Sequence, residues 1–161
     1  MNFSRGRYGS ILLGLLIVAA SVFGWRMMHG EVYFARGVFG KLAKGRQSVQ
    51  QDIAWERFDA MKMDVGKAYI HLANEQERKD YRRTFIEQFA HGFKATGGNL
   101  GNFKRWRVKE RDTGRTLVAA DDVVKRQTLL FIVETEGRQR LKVMRWQTPE
   151  QYRQEQYRQR F

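Results

Sequence analysis

The chain is 161 residues long, room for one domain of ordinary size plus an extension, and its 13% aromatic content suits a packed core better than wholesale disorder. It holds no cysteine, which excludes disulfides, thiolate metal sites, a catalytic thiol and a lipid-modified Cys. Lys and Arg number 30 against 17 Asp and Glu, a net charge of +13 that favours anionic partners: lipid headgroups, nucleic acid or an acidic protein. A solvated basic surface with no specific partner is the competing reading.

The first element is the run "RGRYGSILLGLLIVAASVFGWR", residues 5–26. No charged residue occurs from Tyr8 to Trp25. As a helix this stretch is about 27 Å long, close to a hydrocarbon core of about 30 Å. Ile11, Leu12, Leu13, Leu15, Leu16, Ile17, Val18 and Phe23 fill it, Tyr8 and Trp25 bracket it at headgroup level, and no polar stripe interrupts it. The expectation is a single-pass transmembrane anchor over 1–26. The alternatives are a signal peptide cut after Ala20 and a buried core helix. Arg5 and Arg7 precede the run, whereas Arg26, Arg36, Lys41, Lys44 and Arg46 follow it against Glu31, so the positive-inside count does not fix the orientation. A short basic N-terminus before a first span favours a bacterial inner-membrane placement with the C-terminal domain exported.

Residues 27–47 read as a juxtamembrane basic connector. Val32, Tyr33, Phe34, Val38, Phe39 and Leu42 suit either an interfacial helix, with Arg36, Lys41 and Lys44 towards headgroups, or a helical connector packed on the following domain. Gly30, Gly37, Gly40 and Gly45 weaken a helix here.

Residues 48–147 read as an α+β domain. Ser48 and Gln51 have capping-box spacing, and Ile53, Ala54, Phe58, Met61, Val65, Ala68, Tyr69 and Leu72 recur at three and four residues. That predicts a helix to about Met63 and a short second one near "DVGKAYIHL", with Gly66 as the interruption. Asn74 with Glu77 starts the clearest helix. Its stripe Tyr81, Phe85, Phe89, Phe93 faces the core and Gly97-Gly98 stops it. "FKRWRVKE", "TLVAADDVV", "TLLFIVET" and "RLKVMRWQ" then predict four antiparallel strands, with turns at Asp112-Thr113-Gly114 and Glu136-Gly137. The predicted fold is two or three helices on one face of a four-stranded antiparallel meander. Residues 148–161 form a basic helical tail opened by Thr148-Pro149-Glu150, with fraying as the alternative.

The stretch "DVGKAYIHLANEQERKDYRRTFIEQF", with Tyr69 and Leu72 closing a short helix and Tyr81, Arg82 and Phe85 opening a long one, resembles the helical half of NTF2-like (cystatin-like roll) domains. Membrane-anchored bacterial proteins of this type are similar in layout. The resemblance covers about residues 48–147. It implies an α+β roll, of which this sequence is short of strands, and says little about chemistry, because that superfamily includes enzymes, transport factors and secretion-system subunits.

Catalytic constellations are scarce. His29, His71 and His91 are scattered, so neither a metal site nor any cofactor is expected. Enzymes of the NTF2-like class place an acid and a phenol in the cone of the roll, which makes Asp64, Tyr69 and Tyr81 the candidates. Asp64 also has the position of a helix cap. Asp121 and Asp122, adjacent in a strand, point to opposite faces and do not form a pair. "NFKRWRVKER" interleaves basic and aromatic residues. Arg105 and Arg107 share one strand face with Phe103, and Trp106 and Val108 share the other with Lys104. Such a face stacks bases and holds phosphates, or covers a sheet with long stems.

The expected function is a non-catalytic accessory or scaffold subunit at the membrane that binds a membrane-associated protein, with anionic lipid headgroups as a further contact. Arg82, Arg83, Arg105, Arg107, Tyr152, Arg153, Tyr157 and Arg158 are the candidate partner-binding residues. The alternatives are membrane-tethered nucleic-acid or ribonucleoprotein binding, and a small-ligand or enzymatic pocket in the roll.

Overall fold

The computed structural model describes residues 5–61, 63–147 and 151; within the first helix, side chains are described for 14–18, 21 and 30–43. The elements are α1 (Arg5–Ala43), β1 (Asp59–Ala60), β2 (Met63–Asp64), α2 (Val65–Ile70), α3 (Glu75–Ala95), β3 (Phe103–Asp112), β4 (Arg115–Asp122), β5 (Gln127–Glu134) and β6 (Arg140–Gln147). Short 3₁₀ turns stand at Gln47–Asp52, Trp55–Arg57 and Leu100–Asn102. The chain divides into two units, Met1–Gly30 and Glu31–Phe161.

The expected membrane anchor is corrected. Tyr8, Ile11, Leu12, Leu13, Leu15, Leu16, Ile17, Val18, Phe23 and Trp25 do not form a separate span. They belong to the first part of a 39-residue helix that goes on through Arg26, Glu31, Arg36 and Lys41. Among the described residues no helix is long and apolar enough to cross a membrane. The transmembrane, single-pass and exported inner-membrane expectations are corrected with it. Leu15, Leu16, Ile17 and Val18 are 59–65% exposed.

In the second unit α1 becomes a core element. Ala35, Val38, Phe39, Leu42 and Ala43 are buried, a one-faced helical spacing. Of the two readings of the connector, the helix packed on the domain holds for residues 31–43. Phe39 meets Phe103 at 4.7 Å between ring centroids, Phe93 at 5.6 Å and Phe131 at 5.7 Å, all edge-on, with Phe89 and Trp106 farther out. Each such pair adds about 0.5–1.5 kcal/mol beyond the area it buries.

The helix expected from Ser48 to Met63 is absent. Ile53, Ala54 and Trp55 are buried in succession, which no single helix face allows. The chain instead winds through two 3₁₀ turns along the edge of β6. Ile53 bridges Leu141 in parallel, Ala54 N–H donates to the Leu141 carbonyl at 3.0 Å, and Met61 N–H donates to the Met144 carbonyl at 2.7 Å. β1 pairs in parallel with β6, and β2 folds back antiparallel on β1.

The sheet therefore has six strands in the order β2-β1-β6-β5-β4-β3 and is mixed, which corrects the four-stranded antiparallel expectation. The meander within it, β3 to β6, is antiparallel throughout as expected. Val118 and Ala120 of β4, Leu129, Phe131 and Val133 of β5, and Leu141 and Met144 of β6 line its core face.

The caps expected at Asp64 and Asn74 are in place, whereas Ser48 and Gln51 lie inside a 3₁₀ turn that has no side-chain cap. The Asp64 carboxylate accepts from Lys67 N–H at 2.9 Å and starts α2. Asn74 Oδ1 accepts from Glu77 N–H at 2.9 Å, and Glu77 returns the contact by accepting from Ala73 N–H at 2.9 Å. α3 ends before Gly97, whose φ of +71° suits the left-handed stop. Gly66 lies inside α2 instead of interrupting a helix. Its N–H donates to the Phe58 carbonyl at 2.8 Å, and a Cβ there would sit 2.7 Å from the Glu56 carbonyl oxygen.

Candidate interaction surface

The helix-to-sheet interior is filled by rings. Phe39, Phe58 and Phe131 are fully buried, and Phe85, Phe89, Phe93, Trp106 and Trp146 pack around them. The acid and phenols that a roll enzyme would use do not meet inside it. Asp64 is exposed and capping; Tyr81 is half-buried beside Tyr69, with ring centroids 6.2 Å apart. Burial pushes the Tyr81 phenol above its ordinary value. His71 is exposed, its Nδ1 2.6 Å from the Lys67 carbonyl oxygen, and His91 is exposed on α3. Among the described residues no group of three His, Cys, Asp or Glu is placed to hold a metal ion.

The expected partner-binding arginines fall into three environments. Arg82 is enclosed. Its Nε donates to Gln50 Oε1 at 3.2 Å, Nη1 to the Tyr69 hydroxyl at 2.6 Å and Nη2 to Glu75 Oε1 at 2.7 Å, and 18% of the side chain is exposed. Burial works against its charge, but the hydrogen bonds to Glu75 and Tyr69 outweigh it and the pKa rises. The same bond to Arg82 lowers the Glu75 carboxyl, against a smaller effect of desolvation. Arg78 and Arg82 also flank the Tyr69 ring, at 5.6 and 5.9 Å. Arg82 is thus a tie between α3, α2 and the turn at Gln50. Its neighbour Arg83 is exposed and pairs with Asp80 at 3.1 Å, one turn away on α3.

Arg105 and Arg107 converge on one carboxylate. Arg107 places Nη1 2.8 Å and Nη2 3.2 Å from the two oxygens of Asp121, and Arg105 Nε lies 3.0 Å from Oδ2. Thr128 donates to the same carboxylate at 2.9 Å. Desolvation raises the Asp121 pKa, but the bonds from Arg107 and Thr128 and the nearby Arg105 charge prevail and hold it below the usual carboxylate range. Between Lys104, paired with Asp121, and Arg107, paired with Ala119, β3 carries one residue more than β4, and Arg105 has φ +48°. This bulge resets the alternation. Phe103 and Trp106, expected on opposite faces, both reach Phe39 on the core side. Asp122 is buried and accepts from the N–H groups of Val124 and Lys125, each at 3.0 Å, so the neighbouring carboxylates do separate.

The tail candidates Tyr152, Arg153, Tyr157 and Arg158 lie outside the described residues. A further basic surface holds Arg36, Lys41 and Lys44, the cations that the sequence placed on one face of the connector. Tyr33, Arg36, Gly37, Gly40, Lys41, Lys44 and Arg46 line an open groove of about 490 Å³ along the outer face of α1. Lys41 is engaged by Asp52 at 2.7 Å, and Asp52 also meets Arg138 at 3.5 Å. Compared with family models, curated proteins and solved structures, the chain matches none.

Proposed function

We propose that residues 31–147 form a non-catalytic binding module, an accessory or scaffold subunit whose basic surface takes an acidic protein partner. The observation that supports this most is the ring-filled interior. It leaves the chemistry of the unit on its outside, where cations outnumber acids. The order of helices before an antiparallel meander supports the NTF2-like resemblance, in which non-catalytic subunits are familiar. Nucleic-acid binding at Arg105 and Arg107 is the weaker reading, because Asp121 already occupies both guanidinium groups and would repel a phosphate.

The test is co-purification of the full-length chain from its own cells, beside a variant with Arg36, Lys44, Arg83 and Lys104 changed to Gln. An associated protein recovered with the native chain and lost from the variant, at unchanged circular dichroism, is the expected result. Equal recovery from both would refute the proposal.

A further inference from the structure

The groove along α1 carries a sharper reading. Gly37 and Gly40 form its floor, and a Cβ built on either meets nothing within 4 Å. Tyr33 stands at one end, 46% exposed. Arg36, Lys44 and Arg46 supply the charge, and among the described residues no carboxylate pairs with any of the three. Lys41 differs, being held by Asp52. Arg36 and Lys44 are eight positions apart, about 12 Å along a helix. A single phosphate does not reach across that interval. A polypeptide segment with carboxylates about two helical turns apart does, and a glycine floor lets its backbone come close.

We infer that this groove docks an acidic helical segment of a partner protein, with its carboxylates on Arg36 and Lys44 and its backbone over Gly37 and Gly40. The inference rests on the binding-module reading and names the site and the partner's chemistry. A second copy of this chain does not suit the groove, since each copy carries +13. The segment is recognised by charge and close approach together, so both are required. Charge alone would not distinguish it from any anion.

The test uses the full-length chain and a Glu/Ala-rich helical peptide as the probe, with a single-stranded RNA oligonucleotide of equal charge beside it. Gly40→Leu fills the groove without altering charge. Because nothing opposes the new side chain and Gly is a poor helix former, Tm should hold or rise. The expected result is peptide binding that weakens with salt, falls about tenfold or more in G40L, and falls about two- to tenfold in R36Q/K44Q. Peptide binding by G40L equal to that of the native chain overturns the inference. So does tighter binding of the RNA than of the peptide, or no peptide binding at low salt. The co-purification above decides the module reading separately: a partner that G40L retains and the four-site variant loses leaves the module standing and moves the site elsewhere.

Discussion

Asp121 and Phe39 show how single side chains fix this unit. Asp121 gathers two arginines and a threonine, so replacing it with Asn removes the charge and one of the two oxygens that hold them. Asp121→Asn is expected to cost about 1–3 kcal/mol at neutral pH. Its folded pKa lies below the unfolded value of about 3.9, so the carboxylate's contribution is present above that value and disappears as pH falls through the lower folded one. Urea titrations of the native chain and D121N should therefore differ at pH 7 and converge on acidification below about pH 4. A constant difference across that range would assign the cost to packing. Phe39→Ala, at a site touched by five other rings, should cost about 3–5 kcal/mol, measured in the same way. A loss under about 1 kcal/mol would mean that α1 packs on the sheet without Phe39 as its anchor.

Among the elements, those with local signals were legible in the sequence. α3 had an Asn cap, an aromatic stripe and a Gly stop, and the four meander strands had turn residues between them. Asp64 was legible as a cap because a helix N-terminus needs an acceptor whatever surrounds it. Residues 47–64 were not legible as strands. Apolar residues three and four apart satisfy a helix, but they also satisfy 3₁₀ turns wrapped on a sheet edge. Parallel pairing to β6, some 80 residues later, decided between them, and no local spacing encodes it. The bulge at Arg105 is similar: one inserted residue turns the alternation of β3 as far as Val108, where a second register shift follows, and a non-Gly residue gives no warning of it. Asn74→Ala should cost about 1 kcal/mol of stability by thermal melting, by loss of the α3 cap. A chain beginning at residue 48 lacks Val38, Phe39 and Leu42 and should fail to fold, whereas one beginning at residue 31 should melt cooperatively. Cooperative melting of both would remove α1 from the core.

For the whole molecule, the excess of cations and the ring-filled interior lead to the same reading, a surface that binds while the inside only holds shape. The net charge was legible at once; its arrangement was not. Of the arginines that stood out in the sequence, Arg82 holds helices together and Arg105 and Arg107 share Asp121. Arg36, Lys44 and Arg46, which no carboxylate pairs among the described residues, line a groove at the end of α1 and just beyond it, in a stretch that read as a connector. Zero-length carbodiimide coupling tests this most directly, since it joins an amine only to a carboxylate in contact with it. Applied to the full-length chain in its own cells, it should link Lys44 to an Asp or Glu of another protein. The Lys41–Asp52 pair, 2.7 Å apart, reports that the reaction worked. Coupling at Lys41 with none from Lys44 to a second protein would contradict the binding role of this groove.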